Sequence, residues 1–131
     1  MIALCSGGFS VLHVGHLELF ETASAYGDVI VALNSDEWLR RKYGTVIVPW
    51  NERMRLLRSL KMIHDVTYVQ DDDSTVCEAI RRIRPDFFVN GGDRKQAEPR
   101  EHSICVKLGV VEIFKGEKIQ SSSSILRMNR Q

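Results

Sequence analysis

The feature that most constrains this chain is a fivefold alternation of short apolar runs with helical patterns inside 131 residues. Ile2–Cys5, Asp28–Asn34, Val66–Val69, Asp86–Asn90 and Val110–Phe114 read as strands. Most of them lack the polar alternation of a half-exposed strand, so they are expected to be covered on both faces, as in a parallel sheet. Between them lie amphipathic stretches with recognisable ends. Val14–Tyr26 is closed by Gly27, and Ser35 or Asp36 caps a short helix to about Arg41. Asn51 caps a helix bearing Met54, Leu57, Leu60 and Ile63, Asp71–Ser74 is a turn and cap for a helix through Arg84, and Pro99–Leu108 is stopped by Gly109. Ser121–Met128 reads as a last short helix. Such alternation specifies an α/β fold: a Rossmann-like five-stranded parallel sheet with helices on both faces, joined by right-handed crossovers. No repeat or linker interrupts residues 1–131, so a single domain is expected.

In such a sheet ligands sit beyond the carboxyl ends of the strands. Glycine-rich and polar segments collect at those ends: GGFSVLHVGH after the first strand, NSD and then RRK after the second, NGGD after the fourth and QSSSS after the fifth. Glycines feeding a helix suit phosphate, because free backbone N–H groups and the positive helix end attract anions. The spacing matches neither a dinucleotide fingerprint nor a Walker loop. The cationic chemistry falls instead to His13 and His16, three residues apart at the helix start. An adjacent polyphosphate is expected to favour their charged form. A zinc reading finds no third or fourth ligand at metal-site spacing.

Gly8-Phe9-Ser10-x-x-His13-x-Gly15-His16 resembles the G-x-F-D-x-x-H-x-G-H signature of the nucleotidyltransferase superfamily, most closely its cytidylyltransferase-like branch. VALNSDEW, NERMRLLRSLKMIHDV, RPDFFVNGGD and QSSSSILR are similar to further segments of that branch, in order, so the resemblance covers nearly the whole chain. It implies transfer of CMP or AMP from CTP or ATP to a small phosphorylated acceptor, such as a sugar or polyol phosphate, with release of pyrophosphate and with Mg²⁺ carried by the triphosphate. By the same resemblance His13, His16 and Lys42 are catalytic. Gly8, Phe9, Ser10, Gly15, Asp93, Ser121, Ser122 and Ser123 bind nucleotide, Arg53 and Ser10 meet the acceptor, and no protein metal ligand is expected. Arg40 and Arg41 could substitute for Lys42. Position 10 departs from the pattern: serine stands where the signature has aspartate, removing a charge and a strong acceptor. A nucleotide-binding module or sensor with little turnover is the alternative reading.

Bulk properties set the partners. Eighteen basic against seventeen acidic residues give a net charge of +1, which argues against a general nucleic-acid binder. No apolar stretch reaches the roughly 20 residues of a membrane span, and the N-terminus lacks the basic start of a signal peptide. Cys5, Cys77 and Cys105 are odd in number and widely spaced, and read as buried free thiols of a cytoplasmic protein. A homodimer is expected from the resemblance.

Overall fold

The computed structural model describes residues 1–91 and 98–114. In chain order the elements are β1 (Ile2–Gly7), α1 (Val14–Ser24), β2 (Asp28–Leu33), α2 (Asp36–Tyr43), α3 (Trp50–Arg58), β3 (Ile63–Tyr68), α4 (Cys77–Ile83), β4 (Phe87–Asn90), α5 (Pro99–Leu108) and β5 (Val111–Phe114). The strands form one parallel sheet in the order β3-β2-β1-β4-β5.

Successive residues of a strand point to opposite faces, and β1 shows why its run is apolar throughout. Ala3 and Cys5 pack on one face with Leu19, Phe20 and Ala23 of α1 and Leu57 of α3. Leu4 packs on the other with Ala79 and Ile80 of α4 and Cys105 of α5. The helices therefore divide between the two faces, as the buried strands require. Burial pushes the thiols of Cys5 and Cys105 up to about 12, chiefly through desolvation, so both behave as apolar filling.

Several expected boundaries move. Gly27 does not cap α1, whose C-cap is Ala25. A Cβ at Gly27 would lie 2.6 Å from the Met1 carbonyl oxygen, so the glycine serves a close backbone approach, where Met1 O accepts the Asp28 N–H at 2.8 Å. α3 is capped by Pro49 rather than Asn51 and ends at Arg58, while Ile63 opens β3. The threefold spacing of Leu57, Leu60 and Ile63 runs on across the turn and imitates a longer helix. Asp71 does not cap α4 but joins β3 to β2, as described below. The expected helix Ser121–Met128 lies outside the described residues.

The strand order reverses between β1 and β4, and in doubly wound sheets the ligand crevice opens at that point beyond the carboxyl ends. Ser6, Gly7 and Gly8 from the end of β1 and Asn90 and Gly91 from the end of β4 line a cleft of about 840 Å³ there.

Candidate active site

The β1–α1 loop forms one wall of the cleft. His13 is itself the N-cap of α1. Its Nδ1 accepts the Gly15 N–H at 3.1 Å, and the Nδ1 of His16 accepts the His13 N–H at 3.2 Å. Together the two imidazoles satisfy the first N–H groups of the helix in the manner of a capping box. An Nδ1 that accepts a hydrogen bond carries a lone pair, so in this geometry each ring proton sits on Nε2.

The rings stack on each other with centroids 3.8 Å apart. Phe9 meets His16 edge to face at 5.0 Å and is itself backed by Phe20. Phe9 occupies the left-handed region at φ 49°, an unfavourable conformation for a bulky residue and one characteristic of functional loops. Gly15 is required for a local reason: a Cβ there would lie 2.9 Å from Cε1 of His13, so only glycine lets that ring fold back onto the helix start. Gly8 packs closely against α2: a Cβ there would lie 2.8 Å from a Leu39 methyl and 3.1 Å from the Trp38 ring. Ser10 also lines the cleft.

α2 supplies the rim. Ser35 caps it through Oγ, which accepts the Trp38 N–H at 3.0 Å, and Gly44 ends it in the left-handed conformation at φ 82°. Lys42 and Trp38 both line the cleft, and the Lys42 ammonium rests 4.7 Å from the centre of the Trp38 ring and 5.4 Å from that of Tyr43. Arg40 pairs instead with Glu37, and Arg41 donates to the Asp71 carbonyl at 2.7 Å. Of the RRK run, Lys42 is the residue at the cleft.

Arg53 corrects the expectation of an acceptor contact. Its side chain is fully buried and does not line the cleft. Nε donates to Val48 O at 2.8 Å, Nη1 to Gly8 O at 2.7 Å and to Asn34 O at 2.9 Å, and Nη2 to the Asp36 carboxylate at 2.6 Å. One guanidinium thus ties the β1–α1 loop, the end of β2, the α2–α3 loop and the start of α2. A second tie is buried Asp71, whose carboxylate accepts Asn34 Nδ2 at 2.9 Å, the Ser35 N–H at 2.8 Å and the Ser35 hydroxyl at 2.6 Å. Asp71 therefore fixes the cap of α2 and with it the approach of Lys42. Neither positioning role has a local sequence signal.

Ser74 and Val76 from the β3–α4 loop, Asn90 at the end of β4, Gly91 after it, and Glu101 of α5 also line the cleft. Asp93 and Ser121–Ser123 lie outside the described residues. Among the described residues no group of three histidine, cysteine or acidic side chains could hold a metal, and no helix is long and apolar enough to cross a membrane.

A doubly wound parallel sheet, with a crevice at the β1/β4 reversal and an imidazole-capped helix opening onto it, defines a Rossmann-like domain. The chain belongs to the cytidylyltransferase-like family, whose defining pattern matches residues 4–129. It is 33% identical over 129 residues to the bifunctional protein HldE of Wolinella succinogenes, covering 96% of this chain and 26% of that protein. It is 31% identical over 134 residues to an FAD synthase of Thermococcus onnurineus, covering 95% of this chain and 89% of the other. The chain thus spans about a quarter of the HldE proteins it matches, and most of the FAD synthase. The fold is shared with a lipopolysaccharide core biosynthesis protein from Thermoplasma volcanium, at a TM-score of 0.74 and 23% identity over 87% of this chain and 93% of that one.

Proposed function

We propose that this chain is a nucleotidyltransferase that moves CMP or AMP from its triphosphate to a small phosphorylated acceptor, a sugar or polyol phosphate. The observation that carries this reading is the pair of imidazoles at the N-terminus of α1, each tied to the helix start through Nδ1 and lining the cleft, with Lys42 on the adjoining rim. Phosphoryl-type transfers need positioning and charge stabilisation more than covalent chemistry. An oxygen of the acceptor phosphate attacks the α-phosphorus in line, the α–β bridging P–O bond breaks, and pyrophosphate leaves. The Nε2–H groups of His13 and His16 stabilise the charge that develops on the α-phosphate oxygens, and Lys42 leaves its aromatic shelf to meet the phosphates. Phe9 and Gly8 keep the loop against the nucleotide, and Ser10 offers a hydroxyl where relatives of the signature have a carboxylate. Asp93 and Ser121–Ser123 belong to the nucleotide site by their place in the motifs.

The described cleft lining contains a single carboxylate, Glu101. That donor set fits a Mg²⁺ carried in by the triphosphate rather than one caged by protein ligands. When bound it would neutralise phosphate charge. Cys5, Cys77 and Cys105 are free and buried, which fits a reducing, cytoplasmic setting.

The test is pyrophosphate release from the full chain, with four NTPs against a panel of phosphorylated acceptors. Replacing His16→Ala should lower kcat by about 10²–10³-fold, the cost of a lost transition-state donor, while the melting temperature stays close to that of the parent. A variant as fast as the parent removes His16 from the chemistry. Nucleotide binding without release for every acceptor selects the binding-module reading instead.

A further inference from the structure

The rim of the cleft on α2 carries two aromatic rings that the transfer step leaves unused. The chain has two tryptophans, and they sit in different settings. Trp50 packs against the core and donates from Nε1 to Leu33 O at 3.0 Å. Trp38 joins neither core cluster among the described residues. On α2 it is Leu39 that turns to the core, and its neighbour lies about 100° around the helix. Trp38 is accordingly half-buried and lines the cleft, with its ring against Gly8 at the end of β1. Tyr43 lines the cleft as well and is 61% exposed. The two ring centres are 6.4 Å apart and the planes meet at 77°, so together they make an aromatic corner.

Aromatic surface rimmed by polar groups marks a place where something docks. In this structure the face of Trp38 is covered by the Lys42 ammonium. Such a contact is weak at an exposed site, and a triphosphate attracts the ammonium more strongly. Once Lys42 turns to the phosphates, the indole face is bare. That face is flat and negative, so it suits a flat body with positively polarised C–H groups. Of the two acceptor classes, a cyclic sugar presents such a body and an open-chain polyol does not. The base of the nucleotide is the poorer occupant. Asp93 and Ser121–Ser123, assigned to the nucleotide, follow β4 and β5 in sequence, whereas α2 follows β2, which lies across β1 from those strands.

We propose that Trp38 is a specificity residue: its indole face, vacated by Lys42, stacks on the ring of the acceptor and so selects cyclic sugar phosphates over open-chain polyol phosphates. This rests on the transfer reading above.

The experiment is calorimetric titration of the full chain and its Trp38→Leu and Trp38→Phe variants. Each is saturated with Mg²⁺ and a CTP or ATP analogue in which a methylene group replaces the α–β bridging oxygen, so that binding is read without transfer. Glucose 1-phosphate and mannose 1-phosphate are set against glycerol 3-phosphate and glucitol 6-phosphate, which carry hydroxyls and phosphate but no ring. The parent should prefer the cyclic phosphates. Trp38→Leu should bind them about tenfold more weakly, the scale of one aromatic stack with its buried area, and should bind the open-chain phosphates as the parent does. Trp38→Phe keeps a flat face and should keep most of the preference. Cyclic phosphates should also change the tryptophan emission of the parent but not that of Trp38→Phe, whose remaining indole is Trp50. If Trp38→Leu melts early, the emission signal and the phenylalanine variant decide. Affinity of Trp38→Leu for the triphosphate alone should hold or rise by up to about fivefold, because Lys42 no longer rests on the ring. A parent that binds none of the panel, or that ignores the ring, overturns the proposal. An equal loss for cyclic and open-chain phosphates overturns it too, as does a loss confined to the triphosphate, which would put the base on the indole. Ring-selective binding without pyrophosphate release from CTP or ATP would sink the transfer reading and leave the Trp38 subsite standing.

Discussion

The two regions that meet at Gly8 hold their polar groups in opposite ways. In the β1–α1 loop the side chains proposed to meet the ligand are outside the core: His13 is exposed, His16 is half-buried, and both are steadied by hydrogen bonds to backbone no more than three residues away. At the junction of β2, α2 and α3 the polar groups are inside: Arg53, Asp71, Asn34 and Ser35 are all buried, and the bonds that tie separate elements together span 17 to 45 residues of sequence. The groups proposed to touch a ligand are kept accessible and shaped by a helix cap. Groups that must hold the frame are dehydrated and bonded over long range. The first arrangement is cheap and adjustable, and the second is costly to break.

The largest effect should therefore come from the buried region. Replacing Arg53→Met removes the partner of three carbonyls and of Asp36 while roughly preserving volume. Losing one member of a buried charged network costs about 3–5 kcal/mol, a large share of the roughly 5–15 kcal/mol that holds a domain of this size together. Urea unfolding should show a midpoint shift of that size, and the surviving folded fraction should bind nucleotide poorly because Gly8 is no longer held. Arg53→Lys should recover only part of the loss, since an ammonium cannot fork to four acceptors. A shift below about 1 kcal/mol would mean that the junction is no stiffer than the loop and would erase the contrast.

The same contrast explains how much of the fold and of the site is legible in the sequence. The sheet was legible because buried parallel strands are continuous apolar runs, and Ala3-Leu4-Cys5 shows both faces in three letters. His13, Gly15 and His16 were legible because their partners lie within the same loop. The capping role of His13 was not, because histidine is not among the usual N-cap residues. Arg53 and Asp71 were misread for a related reason: Arg53 looks like a surface helix cation until Gly8, 45 residues earlier, is folded beside it. Glu101 carries no sequence signal, because an acid in the first turn of a helix is ordinary. The ends of α3 were misplaced because apolar spacing carried across a turn.

A smaller effect tests the loop. Gly15→Ala sets two terms against each other. Alanine improves helix propensity by up to about 1 kcal/mol. Its Cβ, however, would sit 2.9 Å from the His13 ring, and a flexible side chain yields at little energetic cost. The displaced ring also gives up its cap on the residue-15 N–H, a loss of about 1 kcal/mol that offsets the propensity gain, so stability should stay close to that of the parent while the displaced imidazole lowers kcat by about tenfold, a modest loss of alignment. Thermal melting and pyrophosphate release on the same sample measure both. Full activity would show that the His13 rotamer is not what Gly15 protects.

The smallest effect belongs to a pair in neither region. On α4, Arg82 Nε donates to Glu78 Oε2 at 2.7 Å, and Glu78 also accepts the Gln70 N–H at 3.0 Å. The Arg82 guanidinium foremost, with that N–H, holds the Glu78 carboxyl below its ordinary value of 4.5. A carboxyl lowered on folding adds stability above its unfolded value, and that contribution is lost as pH falls through the folded one. Both side chains are partly exposed, so water screens the pair to a few tenths of a kcal/mol. Glu78→Gln should lower the melting temperature by about one degree near neutral pH, and the gap should close as the pH falls below the ordinary glutamate value. A gap that persists in acid would assign the loss to packing rather than charge. A gap as large as that of Arg53→Met would show that long-range burial is not what separates the frame of this domain from its surface.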